Sequence, residues 1–526
     1  MIDATPLLRQ YARWRLRRLA AEHPPEAQQH QLRTLLRLAA DTRFGKAHGF
    51  DRITTIEDFQ ARVPLRRYED FWKDWWQPSF PTVTNATWPG TIPYYAATSG
   101  TTTGATKYIP VSRQMMAANR SAALDILVHH VAARPASRIL AGRNFMLGGS
   151  TDLVRQAPGV FSGDLSGIAA ANVPRWARPR YFPPPELALI ADWDEKTSRL
   201  AEASLRADIR SLSGTPSWVL PFFARLAARR PDLPPRSTSW YPNLELFVHG
   251  GINFAPYRAQ FQEIFAGSRV EMREVYPASE GFIAIADRTY GEGLRLILDN
   301  GLFLEFVPAE QIDSPNPTRH WIGAVETGIN YAVIVTNNAG LWAYVLGDTV
   351  RFVSTTPPRV LITGRLSYML SAFGEHLIGE EIEAAIQQAA QAVGTRIAEH
   401  TVAPVYPARP EQAGRHHFVV EPSTDAPDTD WSRFAATLDR ALAQENADYA
   451  AHRVGMRAPI VTIVRPGTFA EWMRRRGKAG GQNKVPRVIN DLDLFRDLLG
   501  FVTSAQSIAA QVPSESAAET PSGPSG

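Results

Sequence analysis

Apolar residues recur at three- to four-residue spacing from the N-terminus to about Phe71, the period of amphipathic helices. In "MIDATPLLRQYARWRLRRLAAEH" the spacing predicts a surface helix with Leu7, Leu8, Tyr11 and Leu19 facing inward. That stretch is rich in arginine and poor in acids, as transit peptides are, but the period runs on through "HQLRTLLRLAADTRFG" and favours the helix. A Trp- and Pro-rich segment, "FWKDWWQPSFPTVTNATWPG", comes next. "YYAATSGTTTGATKYIPVS" then reads as strand, small-residue loop and strand, and "RQMMAANRSAALDILVHHVAA" as a helix. "ASRILAGRNFMLGGS" predicts a strand entering a turn. "ELALIADWDEKTSRLAEASLRADIRSLSG" predicts one long helical stretch, ahead of "TPSWVLPFFARLAARRP". The middle is strand-rich: "LELFVHGG", "SRVEMREVYPAS", "GFIAIADR", "LFLEFVP", "YAVIVTNNAG", "LWAYVLGDTVRFV" and "PRVLITGR" are short apolar runs bounded by turn signals.

The texture changes after Gly364-Arg365. "GEEIEAAIQQAAQAVG" has Ile382, Ile386, Ala389 and Val393 on one helical face. Strands are expected in "TRIAEHTVAPVYP", "RHHFVVEPS" and "APIVTIVRPGTF", and one helix across "WSRFAATLDRALAQENADYAAHR". The expected architecture is α/β, with a large N-terminal α/β domain over 1–364 and a small α+β domain over 365–502. The tail, 503–526, lacks aromatic residues and most large apolar ones and is expected to be disordered.

Composition narrows the function classes. The 526 residues are too many for one compact core. A formal charge of +4 without a dense Lys/Arg stripe gives no reason to expect a nucleic-acid partner. No apolar run is long enough for a membrane-spanning helix, so no membrane association is expected. The absence of cysteine removes thiolate catalysis, disulfides and cysteine metal sites, and it fits a cytoplasmic location.

Five motifs carry candidate chemistry. In the loop after Tyr94, Gly100 allows backbone N–H groups to turn inward, and Thr98, Ser99, Thr101, Thr102 and Thr103 add hydroxyl donors. Lys107 adds a cation. The spacing is not that of a Walker A loop; an anion cradle and a solvated hydroxyl-rich turn both fit the loop alone. In "EVYPASEGFIA", Tyr276 offers an aromatic face, and Ser279-Glu280 stands where the chain re-enters a strand. A carboxylate there suits Mg²⁺ beside phosphates, and a charged turn is the plain alternative. In "WAYVLGDTVRF", Asp348 follows a glycine at a strand end, where a carboxylate can accept from ribose hydroxyls, and a common Gly-Asp turn is the plain alternative. "LITGRLSYMLSAFGEHLIGEEIE" carries Gly364-Arg365 at the expected hinge. "RGKAGGQNKVPRVI" is a Gly-rich loop with Lys478 and Lys484; Lys484 is the better candidate because Pro486 stiffens the backbone beyond it. "FVHGGINF" places His249 before Gly250 and Gly251, glycines that permit close backbone approach.

The order of these pieces resembles the acyl-adenylating superfamily of two-domain ligases. Ser99 to Lys107 has one more residue between its glycines than the general S-G-T-T-G-x-P-K form. With "KYIP" after it, the loop is similar to that of the GH3 family of acyl acid amido synthetases. "TRFGKAHGFDRITTIEDFQARVPLRRYEDF" and "SAFGEHLIGEEIEAAI" resemble that family's N-terminal and small-domain patterns, so the likeness runs to about residue 500. Ala105-Thr106, Ser367 and the "QNKVPR" loop depart from it.

The resemblance implies two half-reactions: ATP adenylates a small carboxylic acid, releasing pyrophosphate, and an amine, typically of an amino acid, then displaces AMP. It implies ATP and Mg²⁺ as cofactors. The threonine loop and Lys107 would hold the phosphates, Glu280 the Mg²⁺ and Asp348 the ribose. Tyr276, Ser279, Gly250, Gly251 and Arg365 would border the nucleotide, and Lys484 would neutralise charge at the α-phosphate. The small domain would swing about Gly364-Arg365. His249 and His376 could assist the amine, although a structural role suits each better. His416-His417 lack companion ligands, and no metal is expected there. An acyl-CoA ligase, a non-catalytic nucleotide-binding protein and a serine hydrolase suggested by "HGG" are the competing readings; no G-x-S-x-G elbow supports the last. The aromatic content permits an apolar acid pocket but names no acid.

Overall fold

The computed structural model describes residues 2–98, 106–148, 152–190, 193–251, 254, 257–366, 369–370, 372–375, 377–407, 412–476, 485–504 and 508–511. The chain folds as two compact units, Met1–Ser367 and Tyr368–Gly526.

The larger unit opens with helix α1, Thr5–Ala20, whose buried residues are Thr5, Leu8, Ala12, Arg15 and Leu19. Leu7 is not among them: it is 70% exposed. The inward stripe is set by Arg15, which reaches Asp125 at 2.6 Å and Asp299 in a second ion pair. Burying that guanidinium with both carboxylates fixes the rotation of the helix and turns Leu7 outward.

Among the described residues, a twelve-stranded sheet forms the centre of this unit. One half is parallel and holds four adjacent strands in chain order: β3 (Arg143–Leu147), β4 (Ile209–Gly214), β5 (Leu246–Gly250) and β6 (Glu271–Ala278). Helix α3, Pro216–Arg229, links β4 to β5, and helix α4, Arg258–Ile264, links β5 to β6. These are the crossovers that parallel neighbours require. Beyond β6 the sheet turns antiparallel. The order there is β7 (Gly281–Ile285), Leu294–Leu296, β11 (Pro358–Arg365), β10 (Tyr344–Thr355), β9 (Asn330–Asn337), β8 (Leu302–Pro308) and His320–Trp321. All seven residues of β8 are buried, as its unbroken apolar run predicts. Its one charge, Glu305, is paired with Arg319 at 2.8 Å. A second, four-stranded sheet carries β1 (Tyr94–Thr98) and β2 (Lys107–Val111) as an antiparallel pair, with Thr98 opposite Lys107. Helix α2, Arg113–Ala133, follows at once, capped by Ser112, whose hydroxyl accepts from Met115 N at 3.0 Å.

The stretch from Glu186 to Gly214 is not one helix. It divides into Pro185–Ala188, Trp193–Ser204 and the strand β4. In "IRSLSG" Ile209, Ser211 and Leu212 are buried between sheet neighbours, so tertiary pairing overrides a pattern that looks helical in isolation.

In the smaller unit, helices α5 (Gly379–Ala392) and α6 (Trp431–Glu445) share a core with the strands Ile397–Val405, Arg415–Pro422 and Ile460–Ile463. The helix expected across 431–453 stops at Asn446, whose side chain accepts from Tyr449 N at 2.7 Å and caps a separate helix, Ala447–Arg453. Ile508–Gln511, expected to be part of a disordered tail, pairs as a strand with Ile460–Ile463. The rest of that expectation, residues 505–507 and 512–526, lies outside the described residues.

Candidate active site

The predicted site residues of the larger unit fall at a hairpin turn and at a bulge inside a strand; Asp348, expected at a strand end, lies within the twelve-residue β10. The first is the hairpin between β6 and β7. Ala278 pairs with Gly281, leaving Ser279-Glu280 as a two-residue turn. Gly281 has φ +152°, and a Cβ there would stand 2.8 Å from Leu302, so the turn admits only glycine without a shift. Although it lies in a turn, Glu280 is only 9% exposed. Asn337 at the end of β9 donates its side-chain amide to the Glu280 carbonyl at 2.7 Å. The Asn337 side-chain oxygen Oδ1 in turn accepts from Ala339 N at 2.9 Å and Leu341 N at 3.0 Å, which folds "NNAGL" into a compact loop. Ser112 donates to the Asn338 carbonyl at 2.5 Å, tying the start of α2 to the same loop.

Tyr344, the first residue of β10, is hydrogen-bonded to the Glu280 side chain. Burial first, and then the nearby Glu280, Glu69 and Tyr68, hold its phenol well above the usual range, so it stays protonated and donates to the carboxylate. Glu69 and Tyr68 belong to the short helix Tyr68–Phe71. Lys107 meets both: its Nζ is 3.9 Å from Glu69 Oε1 and 5.3 Å from the Tyr68 ring centre. Tyr68 is fixed in turn, its hydroxyl accepting from Tyr108 N at 2.9 Å. Lys107 and Glu280 therefore border one polar cluster, with Tyr68, Glu69 and Tyr344 between them.

The second place is the bulge in β10. Val345 pairs with Ile334 and Thr349 with Ala332, so three residues of β10 stand against one of β9. Gly347 takes φ +95° at the centre of this bulge, and its carbonyl accepts from Leu366 N at 2.7 Å. Such a bulge re-aims the residue that follows it. Here that residue is Asp348, paired across the sheet with Arg365 and accepting from the Tyr276 hydroxyl at 2.7 Å. Tyr276 is 5% exposed and packs in the core, so its hydroxyl holds Asp348 while its ring serves as a wall rather than an open platform.

Gly250 and Gly251 close β5 in different ways. A Cβ on Gly250 would meet the Val275 carbonyl oxygen at 2.3 Å, so the approach it permits is to the neighbouring strand. Gly251 has φ +83° and open space around it. His249 is 2% exposed, stacks on Phe254 at 3.7 Å and is driven down to about 3 by burial. A neutral, enclosed imidazole is a poor base for an incoming amine. In the smaller unit, His416 is bonded to Glu375 at 2.8 Å and His417 to the Thr462 hydroxyl at 2.8 Å, so both have structural partners. Ser99, Gly100, Thr101, Thr102, Thr103, His376, Lys478 and Lys484 lie outside the described residues. A cavity of about 290 Å³ lined by Lys46, His48, Arg52 and Arg62 contains none of the expected site residues.

Among the described residues, no group of three or more histidines, acids or cysteines could cage a metal. The lone Glu280 carboxylate still fits Mg²⁺, which takes one or two carboxylates and completes its shell with phosphate and water. Tyr344, Asn337, Tyr68 and Glu69 went unnoticed in the sequence. The first reads as one more core aromatic and the second as a turn residue. Only the hydrogen bond of Asn337 to a turn 57 positions away reveals its part.

Three family models match the chain: the GH3 family N-terminal domain over 17–198, the central domain over 295–365 and the C-terminal domain over 380–493. A probable indole-3-acetic acid-amido synthetase of Oryza sativa subsp. japonica is 28% identical over 61% of this chain and 77% of its own length. A jasmonoyl-L-amino acid synthetase of the same organism is 29% identical over 48% of each chain, so this chain spans about half of that relative. Among solved structures, an acyl acid amido synthetase in complex with 2,4-DB has a TM-score of 0.58 at 15% identity, covering 94% of this chain and 96% of its own. A 2-hydroxyisobutyryl-CoA ligase in its thioesterification state has a TM-score of 0.57 at 18% identity, covering 91% and 92%. At such identities the structures speak for the fold alone, that of adenylating ligases. The family models reach from near the N-terminus to the last helix of the small unit, and with the sequence relatives they show that the chain belongs to the GH3 family.

Proposed function

We propose that this protein is an ATP-dependent, AMP-forming acyl acid amido synthetase that joins a small carboxylic acid to the amine of an amino acid. The observation that carries the reading is that Lys107 and Glu280 border one polar cluster while Asp348 is held by Tyr276, four residues before Glu280 on the same hairpin. It is supported by amido synthetases among the relatives.

The first half-reaction is attack of the acid's carboxylate oxygen on the α-phosphorus of ATP. It forms the mixed anhydride and releases pyrophosphate. Such a transfer needs positioning and charge neutralisation rather than a protein nucleophile. Lys107, beside the loop that follows Thr98, supplies positive charge to the β- and γ-phosphates. The carboxylate of Asp348, held by Tyr276, accepts from the ribose hydroxyls. Glu280 would hold Mg²⁺, which when bound offsets phosphate charge. Gly250, Gly251, Ser279 and Arg365 would border the nucleotide, and the threonine loop and Lys484 keep the roles the family resemblance gives them. In the second half-reaction the amine nitrogen attacks the activated carbonyl, AMP leaves, and the amine proton passes to solvent or a base.

The fold shared with a CoA ligase favours one rival, a thioester-forming enzyme. The two are separated by measuring AMP release with one acid and either a set of amino acids or coenzyme A. Amino-acid-dependent AMP release with an amide product is expected. Turnover with coenzyme A alone would replace the amide reading with the thioester one.

A further inference from the structure

Three cations meet away from the proposed catalytic residues. Lys46 stands in the last turn of the helix Arg43–His48, Arg52 ends the short turn Phe50–Arg52, and Arg62 ends the helix Ile56–Arg62. All three line the cavity of about 290 Å³, which His48 and Gly49 also line and whose one acid is Asp51. Gly49 makes the meeting possible. Its φ of +62° reverses the chain after the first helix, and a Cβ there would stand 3.5 Å from Arg62 Nη1 and 3.9 Å from Arg52 Cδ. Two arginine side chains from different elements therefore approach one glycine.

The His48 side of the cavity is fixed and uncharged. The ring stacks on Phe44 at 3.9 Å, Nδ1 donates to the Phe44 carbonyl at 2.9 Å, and burial holds the imidazole below its usual range. Nε2 is then the acceptor that faces Arg66 Nη2 at 3.4 Å. Arg66 is anchored in turn, its N–H donating to the Ala343 carbonyl at 3.0 Å and its carbonyl accepting from Val345 N at 2.9 Å.

The three cations are not matched by the protein. Lys46 and Arg62 make no side-chain hydrogen bond or ion pair among the described residues. Arg52 meets Asp51 at 3.9 Å, with both side chains exposed. A cation near a helix C-terminus is favourable by itself, which accounts for Lys46 and Arg62 singly. It does not account for their convergence with Arg52 on one cavity, where like charges repel. Three cations against one carboxylate leave a surplus that a dianion would neutralise. Two guanidinium forks and a lysine can donate to several oxygens at once, the arrangement that suits a tetrahedral phosphate. Pockets that enclose drug-sized molecules start at about 300 Å³, so this one suits a phosphate group rather than a whole nucleotide.

We infer that Lys46, Arg52 and Arg62 form a second anion site, which takes inorganic phosphate or the phosphate group of a small phosphate ester. None of the expected nucleotide-site residues lines it, and it does not rest on the adenylation reading.

The test is equilibrium dialysis of the whole chain against labelled inorganic phosphate and labelled glycerol 3-phosphate. It is run at about 0.15 M salt, with saturating α,β-methylene-ATP and Mg²⁺ to occupy the proposed nucleotide site. Saturable binding of one equivalent of at least one probe is expected, with a Kd below about 1 mM; the tighter probe identifies the source of the phosphate. Arg62→Ala should weaken binding by about tenfold or more, the scale of one charge-assisted hydrogen bond. The double variant Lys46→Ala/Arg62→Ala should abolish it, and Lys107→Ala should leave it unchanged. Lys46, Arg52 and Arg62 are exposed, so these variants should keep the wild-type Tm. Binding that never saturates at that salt describes a solvated basic face and overturns the inference. So does an absence of binding by both probes, binding that survives loss of both Lys46 and Arg62, or binding that is lost in Lys107→Ala. Each of these leaves the adenylation reading standing.

Discussion

Strand β6 presents two polar regions only a few residues apart. Towards its end, every polar group of the hairpin that has been traced is engaged: Tyr276 with Asp348, the Glu280 carbonyl with Asn337, the Glu280 carboxylate with Tyr344. One step earlier, Glu274 has only burial acting on it, and the neighbouring His249 Nδ1 is unbonded among the described residues. Both regions lie along one interior strand of the same sheet, so the difference is not one of scaffold. Groups that must meet a common cosubstrate in one geometry are held by their neighbours before it arrives, since a positioned carboxylate or cation is effective only when preorganised.

Breaking the bonded region should have the larger effect. Glu280→Ala is expected to lower acid-dependent pyrophosphate exchange by about 100-fold or more, with circular dichroism showing an intact fold. Asn337→Ala strands the Glu280 carbonyl and two loop N–H groups; at about 1–3 kcal/mol for an unsatisfied buried group, urea denaturation should show a loss of at least that size. Tyr344→Phe removes one hydrogen bond to Glu280, the carboxylate proposed to hold Mg²⁺. Changes of that kind weaken metal binding about 10- to 100-fold. A Mg²⁺ titration of the ATP complex by calorimetry should show it, and an unchanged Mg²⁺ affinity would remove Tyr344 from the site.

The unbonded region should declare itself through pH. His249, and His400 in the smaller unit, are each lowered by burial from 6.5 to about 3. Below about pH 6.5 the unfolded chain takes up protons that the folded one refuses, so stability falls as pH drops, by about 1.4 kcal/mol per pH unit for each histidine. Glu274, raised from 4.5 to about 7, acts in the opposite sense: its contribution fades as pH rises between those values. Urea midpoints at pH 7.5 and 5.5 should show a net loss at the lower pH, reduced in His249→Phe and in His400→Phe. A pH-independent midpoint would contradict the neutral, enclosed state of both rings.

What the sequence made legible follows the same division. Motifs that combine a glycine with a charge, such as "YPASEG" and "YVLGD", could be singled out by their order along the chain, although a plain charged turn fits each one alone. The structure has the expected turn before Gly281, and a bulge inside β10 at Gly347 where a strand end was expected. The supporting residues were illegible because their role lies in contacts distant in sequence. Glu69 stands 38 positions from Lys107, and "RRYEDF" by itself describes only a helix start. Leu7 was placed inward because apolar spacing ignores a buried ion pair, and the segment before β4 looked helical because its sheet neighbours are remote. The length and hydroxyl content of the threonine loop were plain, but its geometry lies outside the described residues.

The central claim is that this chain adenylates a carboxylic acid, and isotope exchange of pyrophosphate into ATP tests it most directly. The account predicts exchange that requires both Mg²⁺ and a suitable acid, and that falls steeply in Glu280→Ala. A folded, ATP-binding protein that supports no exchange with any acid across a broad panel would contradict it.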